Sequence, residues 1–218
     1  MTERRWPVTL TQGDVVLRPI RQSDARRWRE VRRRNVDWLR PWEATLPPEA
    51  RAEGDAIPTF GMMVRRLRRE ARDGRTLPWA LVYQGDLVGQ VTVGGISWGS
   101  LRAAYIGYWI DSAVAGRGVM PTAVAMAIDH CLGPMHLHRI EINIRPENAA
   151  SLRVVEKLGL RREGERAAYL HIDGDWRDHV TYVVNAGEVP DGILAQYRSL
   201  RDQAAVPQVG SARDTPTV

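Results

Sequence analysis

Residues 105–126 read YIGYWIDSAVAGRGVMPTAVAM, a strand-like segment that runs through a glycine turn into an apolar helix pattern. Gly116 and Gly118 lie just before the helix, where the absence of a Cβ lets a ligand approach the backbone. Pro121 lies in the first helical turn, where a missing N–H costs nothing. The N-terminus of a helix offers free N–H groups and the positive end of the helix dipole. The stretch therefore predicts an anion site suited to a pyrophosphate, and the alternative is a plain glycine turn before a helix.

Strand and helix patterns continue on both sides of this stretch. Alternating β-branched residues favour strands, apolar residues three and four apart favour helices, and Ser23 with Asp24 offers an N-cap. The predicted elements are, in order, a strand at 13–21, a capped helix ending near 34, a loop or broken helix at 35–50, a helix from 55 or 60 to 72, a hairpin at 78–96, a strand at 103–111, a helix at 121–132, a strand at 138–144, a short helix within 145–159, strands at 166–173 and 176–184, and a short final helix. This order predicts an α/β (α+β) fold with a mixed sheet.

The chain of 218 residues is long enough for one domain with a substantial core. We predict that this domain occupies residues 13–185 and that residues 1–12 form an N-terminal extension. Residues 186–205 form a C-terminal segment that can be helical, and the small, polar residues 206–218 are expected to be a disordered tail.

The composition argues against several classes of protein. Hydrophobic residues make up 44% of the chain, charged residues make up 26%, and no apolar run is long enough for a membrane span. The charged N-terminus lacks an apolar signal segment, so we expect a cytoplasmic protein. Cys131 is the only cysteine, which excludes an internal disulfide, and its helix pattern predicts burial. The histidines lack metal-ligand spacing, so no metal is expected.

Two segments are rich in arginine. Residues 25–35 contain six arginines and one acid, and residues 64–75 contain six arginines and two acids, in a chain of net charge +5. Such helices could contact RNA, a ribosome or an acidic partner. The alternative is a solvated helix face, which is the more common role of a charged run.

Three segments resemble the GNAT acyl-CoA transferases. The family's pyrophosphate loop, Gln/Arg-x-x-Gly-x-Gly/Ala, falls on residues 115–120, and LRPIRQSDARRW (17–28) and RPENAASLRVVEKLGLRREG (145–164) match in the same order. The resemblance covers residues 13–185. It implies the GNAT fold, a mixed, mostly antiparallel central sheet that splays between two adjacent parallel strands and is flanked by helices.

The loop departs from the family pattern at two positions, and one of them, Met120, points to a branch of the family. Ala115 replaces Gln/Arg and leaves only backbone donors there, while Met120 replaces the final small residue. Met120, NVDWLRPWE (35–43) and the stretch 137–182 are similar to the RimJ and RimL enzymes, RimJ above all, which acetylate N-terminal alanines of ribosomal proteins. The resemblance implies acetyl-CoA as cosubstrate and a protein N-terminus as acceptor, in a monomer or homodimer. The alternatives are acetylation of a small amine or a lysine side chain, and a ribosome- or RNA-associated assembly factor.

The resemblance also implies a set of residues around the cosubstrate. The backbone of Trp109 and Ile110 would pair with the pantetheine arm, and an N–H near Ile110 would stabilise the oxyanion. The predicted acetyl-CoA residues are Trp109, Ile110, Ala115, Gly116, Arg117, Gly118, Val119, Met120, Asn148 and Ser151.

The predicted catalytic residues are Ser151, Asn148 and Glu141. Many family members have a tyrosine acid where this chain has Val155, so Ser151 is the candidate proton donor to the thiolate, with Asn148 beside it. Both could instead be plain helix-start residues. Glu141, central on a strand, is the candidate general base. Its alternatives are a structural hydrogen-bonding role for Glu141 and a base supplied by His138, His171 or solvent.

An aromatic cluster predicts the acceptor side of the site. Trp38, Leu39 and Trp42 lie in a proline-containing loop, where aromatic residues suit a binding wall, although such clusters more often belong to a core. Tyr108 would form one wall of the gap, and Tyr169 would complete the opposite wall.

Overall fold

The computed structural model describes residues 6–50 and 58–205, whose strands form an eight-stranded sheet. The strands are β1 (Leu10–Gln12), β2 (Val15–Pro19), β3 (Leu77–Tyr83), β4 (Asp86–Ser97), β5 (Ala103–Ile110), β6 (Arg139–Ile144), β7 (Arg161–Ile172) and β8 (Asp175–Asn185). The helices are α1 (Ala25–Arg34), α2 (Val36–Leu39), α3 (Phe60–Arg72), α4 (Val119–Leu132), α5 (Ala149–Lys157) and α6 (Ile193–Ala205).

The sheet has the strand order β1-β2-β3-β4-β5-β6-β8-β7, and every neighbouring pair is antiparallel except β5 and β6. These two strands pair only from Ala103↔Arg139 to Tyr105↔Glu141. Beyond Tyr105, β5 stays paired with β4 as far as Ile110, and β6 stays paired with β8 as far as Ile144. The two strands therefore separate and leave a space that we call the β5–β6 gap. The predicted fold class, including the splayed parallel pair, is confirmed.

Helix α4 lies in the main core. Val124, Ala125 and Ile128 are fully buried, as are most of the helix's other side chains, because the sheet covers one side of α4 and α6 covers another. A helix that is apolar nearly all round is typical of such an enclosed position. From α6, Ile193 and Tyr197 join this core. The rigid packing fixes the N-terminus of α4, and with it the glycine turn.

The opposite face of the sheet carries α1 and α3. Val31 of α1 and Val64 of α3 form a second, smaller core with Ile20 and neighbouring residues. Trp28 packs at its edge, with ring centroids 5.1 Å from Phe60 and 6.1 Å from Trp109. The aromatic contacts place α1 against the end of β5 that borders the gap.

Several element bounds differ from the sequence predictions. β1, which lies in the segment predicted as an extension, pairs with β2 at the sheet edge. β7 begins at Arg161 rather than 166, because register shifts and the positive φ of 46° at Ala168 break the alternation that marks a strand in sequence. α4 begins at Val119, two residues earlier than predicted. The C-terminal segment is helical in α6, whereas the tail at 206–218 lies outside the described residues.

Cys131 is fully buried on α4, and this burial raises the pKa of its thiol. No helix within residues 6–50 and 58–205 is long and apolar enough to cross a membrane. The same residues hold no group of three His, Cys, Asp or Glu side chains placed to bind a metal ion.

A buried carboxylate fastens the end of β5 to the end of α1. Asp111 accepts hydrogen bonds from Arg34, from the Asn35 side chain at 2.8 Å and from the Ala113 N–H at 3.2 Å. The Asn35 Oδ1 in turn accepts from the N–H and the hydroxyl of Ser112, at 2.9 and 2.7 Å. Burial alone would raise the pKa of Asp111, but these hydrogen bonds outweigh it and lower the pKa.

We expect Asp111→Ala to lower the free energy of unfolding by about 2–3 kcal/mol at pH 7, because it removes the carboxylate that accepts from Arg34, the buried Asn35 amide and the Ala113 N–H. The pKa of Asp111 is lower in the folded state, so its stabilisation is present above the ordinary aspartate value of about 3.9 and is lost as pH falls through the folded value. Denaturant unfolding from pH 7 to pH 3 checks this, with the exposed Asp37→Ala as control. A deficit that stays constant over this range would contradict the prediction.

Candidate active site

A cavity of about 450 Å³ occupies the β5–β6 gap and the space around it. Most of the predicted cosubstrate residues line this cavity: Trp109, Ile110, Ala115, Gly116, Gly118, Met120, Asn148 and Ser151. Four predicted acceptor residues line it as well: Trp38, Leu39, Trp42 and Tyr108. Two sets of residues predicted from separate segments therefore meet in one cavity.

Residues 115–118, the glycine loop, shape one end of this cavity. Gly116 and Gly118 have φ values of +83° and +80°, a backbone conformation that side chains with a Cβ rarely adopt. The N–H groups of Gly116, Arg117 and Gly118 donate to no acceptor among the described residues, and α4 begins directly after them. Free N–H groups at the N-terminus of a long helix fit the pyrophosphate predicted for this loop.

A second cavity lies directly behind the glycine loop. Arg117, Lys157 and Arg201 supply three cations to its lining, against the single carboxylate of Glu156 among the described residues there. Tyr197 of α6 forms part of the wall, and a Cβ on Gly118 would lie 3.0 Å from the Tyr197 hydroxyl oxygen. Arg117 of the loop thus lines this second cavity and not the main one, and Val119 is buried in the core behind it. The C-terminal helix completes a basic surface suited to phosphate groups.

A pair of hydroxyl groups lies at the middle of the main cavity. Ser151 Oγ and Tyr108 Oη are 2.7 Å apart, and Asn148 caps α5 by accepting a hydrogen bond from the Ser151 N–H at 3.0 Å. Burial raises the pKa of the Tyr108 hydroxyl, although the hydrogen bond with Ser151 acts in the opposite direction. Tyr108 therefore stays protonated in the neutral pH range and orients the Ser151 hydroxyl. The sequence indicated Ser151 but not this partner.

The backbone at the end of β5 presents Ile110 to the gap. The Asp111 N–H donates to Val88 O of β4 at 2.8 Å, and backbone groups alternate along a strand, so the N–H and C=O of Ile110 point away from β4. The Trp38 indole donates to the Ile110 carbonyl at 3.2 Å. By the same alternation the backbone groups of Trp109 face β4, so the predicted pairing of Trp109 with the pantetheine arm does not fit this geometry. The N–H of Ile110 is thus directed towards the gap.

Residues 38–44, the aromatic loop, close the other end of the cavity. Arg145 holds this loop, because its guanidinium donates to Pro41 O at 2.8 Å and lies 5.4 Å from the centre of the Trp42 ring. A bridge between Ala44 and Ile172 joins the loop to β7. Trp38 and Trp42 are thus held as a wall and are not core residues.

Glu141 and Tyr169, which were predicted to belong to the site, lie outside the lining of the main cavity. Both carboxylate oxygens of Glu141 accept hydrogen bonds from arginines, one from Arg139 at 2.9 Å and the other from Arg166 at 2.7 Å. Tyr169 packs against Arg166 and His179. Neither residue lines the main cavity. This arrangement favours the structural hydrogen-bonding role of Glu141 over a role as base, and it removes Tyr169 from the acceptor wall.

The histidines considered as alternative bases also lie outside the cavity lining. The His171 imidazole bonds to the Thr45 hydroxyl at 2.7 Å, where it helps to join the aromatic loop to β7. Sequence reasoning missed four charged residues that line the cavity: Arg32, Glu43, Arg153 and Lys157. Glu43 was visible as the last residue of NVDWLRPWE, but only its contact with α1 shows that its side chain is held at the cavity.

The acetyltransferase (GNAT) domain family matches residues 14–161, from β2 to the start of β7. The chain therefore belongs to the GNAT acetyltransferase family, which confirms the predicted resemblance.

Individual relatives show which branch of the family this chain is similar to. The [ribosomal protein uS5]-alanine N-acetyltransferase of Escherichia coli K12 is 32% identical over 177 residues, which cover 79% of this chain and 88% of that protein. Mycobacterium smegmatis RimJ, solved in complex with CoA-disulfide, is 38% identical with a TM-score of 0.82, and the match covers 89% of this chain and 95% of that chain. Probable N-acetyltransferase YjcK of Bacillus subtilis 168 is 41% identical over 93 residues, which cover 43% of this chain and only about half, 51%, of that protein. RimJ and the related ribosomal-protein-alanine acetyltransferases are thus close relatives, as predicted.

We expect Gly118→Ala to weaken CoA binding at least about tenfold, because a Cβ there strains the loop and pushes against the Tyr197 hydroxyl 3.0 Å away. Gly85→Ala is the matched control, since Gly85 has a similar φ of +85° in the distant β3–β4 turn with nothing within 4 Å of the added Cβ. Isothermal titration with CoA measures both variants. Equal affinities for the two variants would contradict the assignment of the glycine loop.

We expect Ser151→Ala to lower kcat about a hundredfold and Tyr108→Phe about tenfold, because the first removes the predicted proton donor and the second only the hydroxyl bonded to it. Since burial raises the pKa of Tyr108, the alkaline limb of the kcat–pH profile should be the same in Tyr108→Phe and the wild type between pH 6 and 9. Thiol release from acetyl-CoA measures these rates, and the exposed Tyr105→Phe on the same strand is the control. An alkaline limb that disappears in Tyr108→Phe would make that tyrosine the titrating acid instead.

Proposed function

We propose that this protein is an acetyl-CoA-dependent N-alpha-acetyltransferase that acts on the N-terminal amine, alanine in the first place, of a ribosomal protein. The observation that carries the proposal is the single cavity that joins the glycine loop, the Ser151–Tyr108 pair and the aromatic loop. Such a cavity can hold a thioester and an amine side by side. The likeness to the uS5-alanine acetyltransferase and to RimJ supports the ribosomal acceptor.

Acetyl-CoA, when bound, supplies the acetyl thioester to this cavity. The glycine loop and the basic cavity behind it suit the phosphates of CoA, and the solved complex of the relative RimJ with CoA-disulfide supports this cosubstrate. The β5–β6 gap leads from the loop to Ser151. It is open because β5 and β6 no longer pair there. The residues of this chain thus provide a phosphate end, a channel and a hydroxyl at the place where a thiol would leave.

Each remaining residue has a role in direct attack of the amine on the thioester within a ternary complex. The Ile110 N–H is placed to stabilise the negative charge that develops on the acetyl oxygen. Ser151, oriented by Tyr108 and by the Asn148 cap, donates a proton to the departing thiolate. Trp38 and Trp42 hold the acceptor against the reacting carbon. Proximity of this kind can supply roughly 7–11 kcal/mol of the acceleration.

The alternative acceptors differ in what they would need from the cavity. Transfer to a small amine needs an enclosed acceptor end, and transfer to lysine needs room for a long side chain that enters without the terminal backbone. The assembly-factor alternative has less support, because Arg26, Arg27, Arg32 and Arg34 of the first arginine-rich segment already form ion pairs with carboxylates.

Three acceptors of matched chemistry test the proposal. The first is a decapeptide with a free N-terminal alanine, the second is the same peptide with a blocked N-terminus and one internal lysine, and the third is a small primary amine. We expect acetylation of the first at a kcat/KM at least about a hundredfold above the other two. Mass spectrometry locates the acetyl group and thiol release gives the rate. Preference for the lysine peptide or for the small amine would overturn the proposal.

A further inference from the structure

The charges around the main cavity affect how a positively charged acceptor amine can enter it. Arg32, Arg153 and Lys157 line the cavity, whereas Glu43 is the only carboxylate among its described lining residues. An N-terminal amine has a pKa of about 7.7–8.0 and arrives mostly as an ammonium ion at neutral pH. Arg153 and Lys157, which form no ion pair with a described carboxylate, repel that ion, so an anion close to the aromatic loop favours its entry.

We propose that Glu43 is the binding site for the ammonium group of the acceptor. The proposal rests on the proposed function, since it names the group that receives the amine in that cavity. Glu43 would hold the cationic amine beside the end of β5 before proton loss and attack. It is a residue that selects amines by charge, and no step of acetyl transfer is assigned to it.

The backbone of Glu43 is held in place. Its N–H donates to Arg40 O at 3.2 Å, and its C=O accepts from the Asp173 N–H at 3.0 Å. The next residue, Ala44, forms the bridge to Ile172. These bonds join the aromatic loop to the end of β7, so the carboxylate has a defined position in the cavity wall at little further entropic cost.

Arg32 anchors the Glu43 side chain through only one of its two carboxylate oxygens. The Arg32 guanidinium bonds to Glu43 Oε1, and no donor among the described residues contacts Oε2. The guanidinium itself lies 5.3 Å from the ring centres of both Trp28 and Trp109, which hold it against the sheet. One carboxylate oxygen is thus anchored, and the other is open to a cation in the cavity.

The other carboxylates near the site are already engaged. The Asp111 side chain is 2% exposed and bonds to Arg34, Asn35 and the Ala113 N–H. Both carboxylate oxygens of Glu141 accept hydrogen bonds from arginines that do not line the cavity. The Glu43 side chain, 39% exposed and in the lining, is the carboxylate that an incoming amine can reach.

The test compares two peptides that differ only in charge at the N-terminus. One has a free N-terminal alanine and the other is the same peptide with that alanine acetylated, and isothermal titration measures the Kd of each in the presence of CoA. Glu43→Gln keeps the shape of the side chain and an acceptor for Arg32, and removes the negative charge. Glu49→Gln, an exposed glutamate outside the cavity lining, is the matched control.

We expect Glu43→Gln to weaken binding of the free-amine peptide about tenfold and to change binding of the acetylated peptide less than about twofold. In the wild type, affinity for the free amine should fall as pH rises from 7 to 9, because the ammonium loses its proton, and Glu43→Gln should abolish this dependence. Glu49→Gln should match the wild type throughout.

Equal weakening of both peptides in Glu43→Gln would show that Glu43 only supports the loop, and it would overturn the inference. Unchanged affinity for the free amine would overturn it as well. If the wild type binds neither peptide, the proposed acceptor is wrong, and the same comparison with benzylamine and N-acetylbenzylamine then decides the role of Glu43 by itself. The failure of one proposal can thus be told from the failure of the other.

Discussion

The short parallel pairing between β5 and β6 is the constraint on which the rest of the site depends. Three residue pairs hold these strands together, and each strand then follows its antiparallel neighbour, β5 along β4 and β6 along β8. The backbone groups that would have continued the pairing are left facing a gap. The same divergence sets α4 and α5 against one side of that gap, so the glycine loop and Ser151 face one cavity. A continuous sheet would have closed this cavity.

The two ends of the cavity are mechanically linked. Asn35, at the C-terminal end of α1, bonds to both Asp111 and Ser112, which lead from β5 into the glycine loop. The aromatic loop begins only a few residues beyond Asn35 and is joined at its far end to β7. A change in the position of α1 would therefore move the glycine loop and the aromatic loop together. An apolar residue in place of Asp111 would remove one of the two acceptors of the buried Asn35 amide and weaken this link.

Local features of the sequence predicted most of the elements and the position of the glycine loop before a helix. Gly116, Gly118 and the helix that follows them are contiguous, so their geometry depends on φ preferences and on free N–H groups that a short stretch specifies. The relative positions of Asn148 and Ser151 likewise depend only on the start of one helix, α5. The role of Glu141 could not be predicted in this way, because its two arginine partners come from β6 itself and from the irregular strand β7. Tyr169 was misplaced for the same reason, since the bulge in β7 changes the direction of side chains that simple alternation would assign.

The sequence by itself determined the family, the order of most strands and helices, and the glycine loop at the start of α4, because each depends on neighbours along the chain. Only the tertiary structure decided which charged groups face the cavity. Glu43 and Arg32 are eleven residues apart and on different elements, and they meet because α1 packs its tryptophan against β5 while the aromatic loop is joined to β7. Tyr108 and Ser151 meet across the gap in the same way. Such contacts follow from the packing of distant elements, which no local pattern of residues specifies.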